Sequence, residues 1–218
     1  MVEIPTNQPS RLCLVRHGET QWNAARRIQG HIDIALNETG LRQAEAAGRK
    51  LRAAGIAALY SSDLQRAWVP AQVIGRHLGL QPQATSELRE RCYGIFEGLT
   101  YDEAQRKHPD AYAAFEVRNA DYDFENGESL SDMFARITAQ LLTIVAKHPG
   151  QNTVLVVHGG VLDIVNRFVR GNSLETPRDF LIPNDGINWI SFDGTRWSLD
   201  SWGEKAHLET GAIDELPS

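Results

Sequence analysis

Two short apolar runs limit what this chain can fold into. Leu12-Cys13-Leu14-Val15 leads into Arg16-His17, and the run from Thr153 to Val157 leads into His158. Unbroken apolar stretches of this length read as strands buried on both faces, as in parallel sheets covered by helices. In an open α/β sheet, ligands bind beyond the carboxyl ends of the strands. Arg16, His17 and His158 therefore stand where such a fold places its chemistry. Gly18 removes a side chain and lets a ligand or the backbone come close. A cation beside a histidine suits an anion and a nucleophile together. The plainer alternative is a surface arginine and a hydrogen-bonded turn histidine.

The segments around these runs read as alternating helices and strands. Strand one covers Arg11–Val15, and a short helical turn is expected around Thr20–Arg26. Leu41, Ala44, Gly48 and Leu51 repeat at helical spacing, with Asn37 or Thr39 as cap and Gly55 as stop. Ile56–Tyr60 reads as strand two. Ser61-Ser62-Asp63 then caps a helix running to about Leu78. Pro70 lies inside that helix and cannot donate to the Arg66 carbonyl, which predicts a kink or irregular turn near Arg66. Pro82–Leu88 reads as a third strand. Residues 91–126 hold two short helices, Tyr101–Lys107 and Asp110–Arg118, and an acidic aromatic loop. That insertion is expected either to act as a lid over the site or to be surface packing.

Ser129 caps a long amphipathic helix ending at about His148, and a further helix covers Val161–Arg170. Trp189–Phe192 and Trp197–Leu199, around Asp193-Gly194, give a hairpin signal, so the sheet should carry an antiparallel edge. Trp189, Trp197 and Trp202 are expected to cover that edge, with a homodimer interface as the alternative. These elements predict an α/β fold, a three-layer α/β/α sandwich on a mostly parallel sheet. The 218 residues are expected to form one domain, with loose tails at 1–10 and 209–218.

The bulk numbers exclude several function classes. A chain with 42% apolar and 23% charged residues is not disordered by composition. A net charge of −6 argues against nucleic acid or anionic membrane as partner. No run approaches the ~18 apolar residues of a membrane span, and the polar start does not read as a signal peptide. Two cysteines, Cys13 in a buried strand and Cys92, lack metal-ligand spacing, and their number fits a reducing cytoplasm, where the chain is expected to act. His31, His77, His108, His148 and His207 show no paired spacing for metal and are expected to be surface or structural.

The extended motifs carry more. Arg16-His17-Gly18-Glu19-Thr20 with Trp22-Asn23 resembles the signature of the histidine phosphatase superfamily, the phosphoglycerate mutase-like proteins. Further blocks follow in that family's order: Arg26, Gln29-Gly30 and Asp33; Ser61 to Arg66-Ala67; Leu88, Glu90, Gly94 and Glu97-Gly98; Gly127-Glu128-Ser129; and His158-Gly159-Gly160. The resemblance implies a phosphoglycerate mutase-like fold with His17 as nucleophile and Glu90 as general acid. It makes His158 a second histidine donating to the phosphate, and Asn23 a phosphate or loop contact.

The residue types suit that chemistry. Arg16 and Arg66 each offer a planar fork of donors to phosphoryl oxygens. Phosphoryl transfer depends on positioning and on neutralising equatorial charge, which two arginines and a histidine supply without a metal or cofactor. A helix opening after Gly159 would aim amides at an anion. Gln29, Gly30 and Tyr93 are expected to line the substrate pocket, with Tyr93, Phe96 and Tyr101 receiving an apolar or ring-bearing leaving group.

Three functions remain open. The first is a phosphomonoester hydrolase acting through a phosphohistidine on a small phosphorylated metabolite. The second is a cofactor-dependent phosphoglycerate mutase. The third is a non-catalytic relative that binds phosphorylated ligands. The mutases hold the substrate carboxylate with a lysine and a paired arginine. Here the lysine position aligns with Tyr101, and residues 114–126 carry one arginine, Arg118, among Asp121, Asp123 and Glu125. A carboxylate would face those acids, which weighs toward the hydrolase.

Overall fold

The apolar runs become the centre of one mixed sheet in the computed structural model, which describes residues 8–208. The strands are β1 (Ser10–Arg16), β2 (Ile56–Ser62), β3 (Gln83–Thr85), β4 (Asn152–Val157), β5 (Ile187–Phe192) and β6 (Trp197–Glu204). Their order across the described sheet is β3-β2-β4-β1-β5-β6. β1 pairs with β4 in parallel, and β4 with β2 and β2 with β3 likewise. β5 and β6 add the antiparallel edge.

Alternation along β1 divides the core. Leu12 and Leu14 point to one face, where they meet α6 (Leu130–Lys147) and α7 (Gly159–Arg170). Cys13 and Val15 point to the other, toward α2 (Glu38–Leu51) and α3 (Gln65–Leu78). Helices on both faces of the sheet make the three-layer α/β/α sandwich. A third apolar cluster, with Ile28, Phe96, Phe115 and Phe124, lies in and around the inserted segment. It contains α4 (Tyr101–Lys107) and α5 (Pro109–Glu116); α1 (Gln21–Ala24) is a single turn after β1.

Several expectations need correction. The irregular turn expected near Arg66 is absent: α3 runs unbroken from Gln65 to Leu78 through Pro70. Pro70 removes one backbone bond close to the helix start, and the buried packing of α3 against α2 and the sheet holds the rest. Ser61-Ser62-Asp63 does not cap α3; Leu64 occupies that position without a side-chain cap. The third strand is only three residues long, and Ser86–Leu88 turns as a 3-10 helix. α7 begins at Gly159, before the expected Val161. Ser10 is buried in β1, so the loose leader does not reach it; residues 1–7 and 209–218 lie outside the described residues. Trp197 packs on Phe168 and Phe192, and Trp202 donates to the Leu181 carbonyl at 2.9 Å, in keeping with edge cover. No described helix is long and apolar enough to cross a membrane.

Candidate active site

The parallel register brings the two histidines together. Arg16 stands opposite Val157, and the His17 amide donates to the Val157 carbonyl at 2.9 Å. His17 and His158 thus leave neighbouring strands side by side. Their rings meet edge to face with centroids 5.2 Å apart, and both residues are buried.

His17 is held in one tautomer. Its Nδ1 lies 2.7 Å from the Gly18 carbonyl, which can only accept, so Nδ1 carries the hydrogen and Nε2 the lone pair. Asn184 fixes the backbone from behind, donating from Nδ2 to the His17 carbonyl at 3.1 Å. Burial first, then the positive charges of Arg66 and Arg16, hold the His17 pKa well below its ordinary 6.5. His158 is depressed for the same leading reason, followed by Arg66 and His17. Both ring nitrogens of His158 are buried with no hydrogen-bond partner among the described residues. A buried ring with two unsatisfied nitrogens is a site prepared for a ligand.

Arg66 reaches the site from the first turn of α3. Its Nη1 and Nη2 donate to the Ile32 and Gly30 carbonyls at 3.0 and 2.6 Å. Arg16 donates from Nη1 to the Ile182 carbonyl at 2.6 Å. Each guanidinium is tied to backbone and buried, at 2% exposure for Arg16 and 1% for Arg66. Glu90 stands on the other side. Its Oε1 accepts from the Arg91 amide at 2.8 Å and its Oε2 from the Gly160 amide at 3.0 Å. His31 buttresses this turn, its Nε2 donating to the Glu90 carbonyl at 2.8 Å.

Most of the residues singled out from sequence meet in one cleft: Arg16, His17, Asn23, Gln29, Gly30, Arg66, Glu90 and Tyr93 all line it. His158 packs directly on His17. Gly159 does not line the cleft; it lies in the wall of an adjoining chamber, and the Gly160 amide is engaged by Glu90 rather than aimed at an open anion site. Asn23 also closes a capping box, its Oδ1 accepting from the Thr20 amide and hydroxyl at 3.0 and 2.9 Å. The acidic loop does not face the chamber: Asp121, Asp123 and Glu125 are exposed, whereas Arg118 is buried in its wall. The side chains turn away because Phe124, between them, is driven into the third apolar cluster.

Asn184 and Asp185 do not figure in the sequence reading, whereas His31, read as surface or structural, props the Glu90 turn. The signal for the first two was present: an antiparallel edge strand begins where its parallel neighbours end. The turn Pro183-Asn184-Asp185-Gly186 before β5 therefore had to lie beside His17.

A buried imidazole with its lone pair free, two fixed guanidinium forks and a carboxyl group across the cleft can bind a phosphoryl group and move protons around it. The comparisons agree with that geometry. Residues 12–205 match the model of the histidine phosphatase superfamily, branch 1. Phosphoglycerate mutase-like protein 4 of Arabidopsis thaliana is 40% identical over 204 residues, 92% of this chain and 87% of that protein. A metal-independent phosphoserine phosphatase of the same plant is 36% identical, over 94% and 85% of the two chains. The structure of a mycobacterial glucosyl-3-phosphoglycerate phosphatase in complex with VO3 is 30% identical. It superposes with a TM-score of 0.80 over 89% of this chain and 99% of that one. On these matches and this architecture, the chain belongs to the histidine phosphatase superfamily, branch 1.

Proposed function

We propose that the protein is a metal-independent phosphomonoester hydrolase that works through a phosphohistidine at His17 on a small phosphorylated metabolite. The observation that carries this reading is the Nδ1 bond of His17 to the Gly18 carbonyl, which leaves Nε2 unprotonated in a cleft lined by Arg16 and Arg66. The arginines and His158 bind the phosphoryl oxygens, neutralising charge that spreads over them in the transition state. The Nε2 lone pair forms the P–N bond as the P–O bond to the leaving group breaks, and the leaving alkoxide takes its proton from Glu90. Water then attacks phosphorus, gives its proton to Glu90, and the P–N bond breaks to release phosphate and neutral imidazole. The relatives named as phosphatases of phosphoserine and of glucosyl-3-phosphoglycerate support hydrolysis of a small phosphate ester.

Rapid acid-free quenching of wild-type protein with a radiolabelled aryl phosphate should give one acid-labile, base-stable adduct per chain, absent in His17→Ala. Turnover with no adduct at any time would sink the covalent route. The relative named for phosphoglycerate mutase keeps a second reading open. Phosphoglycerate isomerisation that requires a bisphosphate primer would identify it.

A further inference from the structure

The Gly127-Glu128-Ser129 block has no place in the cleft around His17, which Glu128 does not line. The Glu128 carboxylate is engaged from α6 instead. Arg136 Nε and Nη2 donate to Glu128 Oε1 and Oε2 at 2.8 and 2.7 Å, a flat two-pronged ion pair. Both side chains are mostly buried, at 18% and 16% exposure. The guanidinium has one nitrogen left, and it reaches backbone. Arg136 Nη1 donates to the Glu87 carbonyl at 2.8 Å and to the Arg89 carbonyl at 3.2 Å.

Those carbonyls decide how Glu90 hangs. The Arg89 carbonyl belongs to the rigid peptide plane that enters Glu90. The Glu90 carbonyl, which accepts from His31 Nε2 at 2.8 Å, belongs to the plane that leaves it. With a bond on each plane, the two backbone torsions of Glu90 are constrained, and so is the direction of its side chain. Glu128 stitches the following residues to the same support. Its carbonyl accepts from Arg91 Nε at 2.8 Å, and its amide donates to the Cys92 carbonyl at 2.8 Å. Arg136 lines neither the cleft nor the adjoining chamber. It holds the Glu90 turn from behind.

We propose that Arg136, held flat by Glu128, is a positioning residue for departure of the leaving group: it fixes the backbone that aims the Glu90 carboxyl at the ester oxygen. The role rests on the reading of Glu90 as the acid that protonates the leaving alkoxide. Proton transfer needs that carboxyl within about 2.6–3.2 Å of the oxygen it serves. A displacement on the order of 1 Å, of the kind a loosened backbone permits, costs about 100-fold. Arg136 itself touches neither substrate nor reacting atoms.

The test compares two esters of the full-length protein's assay that differ in how much their leaving group needs a proton. Phenyl phosphate releases a phenolate about as basic as a tyrosinate, with a pKa of about 10. The phenolate released by p-nitrophenyl phosphate is a much weaker base. Glu90→Gln should lower kcat/KM for phenyl phosphate about 10-fold more than for p-nitrophenyl phosphate. Arg136→Gln should show the same selective loss, by about 3- to 10-fold, beside a melting curve close to that of wild type. Glu128→Gln, which frees the guanidinium from its other end, should give the same pattern. A loss that is equal for both esters, or no loss, overturns the positioning role, because a merely structural defect does not sense the leaving group. A Glu90→Gln variant without selective loss removes the acid and the positioning role together, and leaves the hydrolase standing. Amide hydrogen exchange needs no turnover. Arg136→Gln should speed exchange in the segment 87–92 by about 10-fold and leave β1 unchanged. Unchanged exchange overturns the role. Failure of wild type to hydrolyse either ester overturns the hydrolase reading, and is told apart by exchange that still responds to Arg136→Gln.

Discussion

His17 and His158 are in contact, edge to face at 5.2 Å, although 140 residues of chain lie between them. Neither ring can take up a proton cheaply there, since each is buried beside Arg66 and Arg16, and His17 adds to the burden on His158. The acid limb of kcat/KM should therefore fall well below pH 6.5, the ordinary histidine value. After burial, Arg66 is the largest cause of the His17 depression. Arg66→Gln should move the acid limb toward neutral pH, and Arg66→Lys should leave it in place. A wild-type rate that halves near the ordinary value would contradict the neutral-imidazole role.

Arg66→Lys tests geometry where Arg66→Gln tests charge. A lysine cannot bridge the Gly30 and Ile32 carbonyls and still present a flat pair of donors to a phosphoryl group. We expect kcat/KM for an aryl phosphate to drop by about 10- to 100-fold, or ~1.4–2.7 kcal/mol of transition-state stabilisation. Steady-state kinetics within about 3-fold of wild type would mean the fork is not used.

Gly160 has no room for a side chain. A methyl group there would overlap Glu90 Oε1, backed by the Met133 side chain. Gly160→Ala should displace the Glu90 carboxyl and lower kcat by about 10- to 100-fold, since misplacement on the order of 1 Å has that effect. KM should change much less. The contrast between kcat and KM, read beside a normal melting curve, distinguishes this from general unfolding.

Asp185 predicts a pH-dependent stability. It is fully buried under the site, and desolvation pushes its carboxyl from 3.8 up to about 7, only partly opposed by His207. Its folded value lies above the unfolded one, so its contribution is fully present below 3.8 and lost as pH rises through about 7. Asp185→Asn keeps the shape and tolerates the positive φ of 54° at this position. The variant should gain stability over wild type at about pH 8, by ~4 kcal/mol at most, and little at about pH 4. Thermal melts showing the same difference at both values would rule this out.

The sequence made the sheet and the catalytic cleft legible for a common reason. Both depend on short apolar runs and on the residues that follow them, so Leu12–His17 and Val154–His158 announced their positions. Glu90 was harder. Its neighbours Glu87, Arg89 and Arg91 make it resemble a solvated charge, and contacts with Gly160 and His31 from distant segments help bury it. Arg118 and Asp163 illustrate the same limit. Arg118 reads as part of an acidic surface loop, and Asp163 as a flaw in an apolar helix. Their ion pair crosses 45 positions and no local pattern reports it. The unbroken helix through Pro70 shows tertiary packing holding a helix together across a local breaker.

The strand register that pairs Arg16 with Val157 belongs to the sheet alone. The walls of the adjoining chamber come from the stretch after Glu90, from α4 and α5 and the turn after them, from the start of α6, from α7 and from the segment before β5. Evolution can therefore rewrite what the protein selects while leaving the reactive pair undisturbed. Relatives that share the histidine pair should differ in diet by changes at positions such as 118, 163 and 178, with the engine beneath them kept whole.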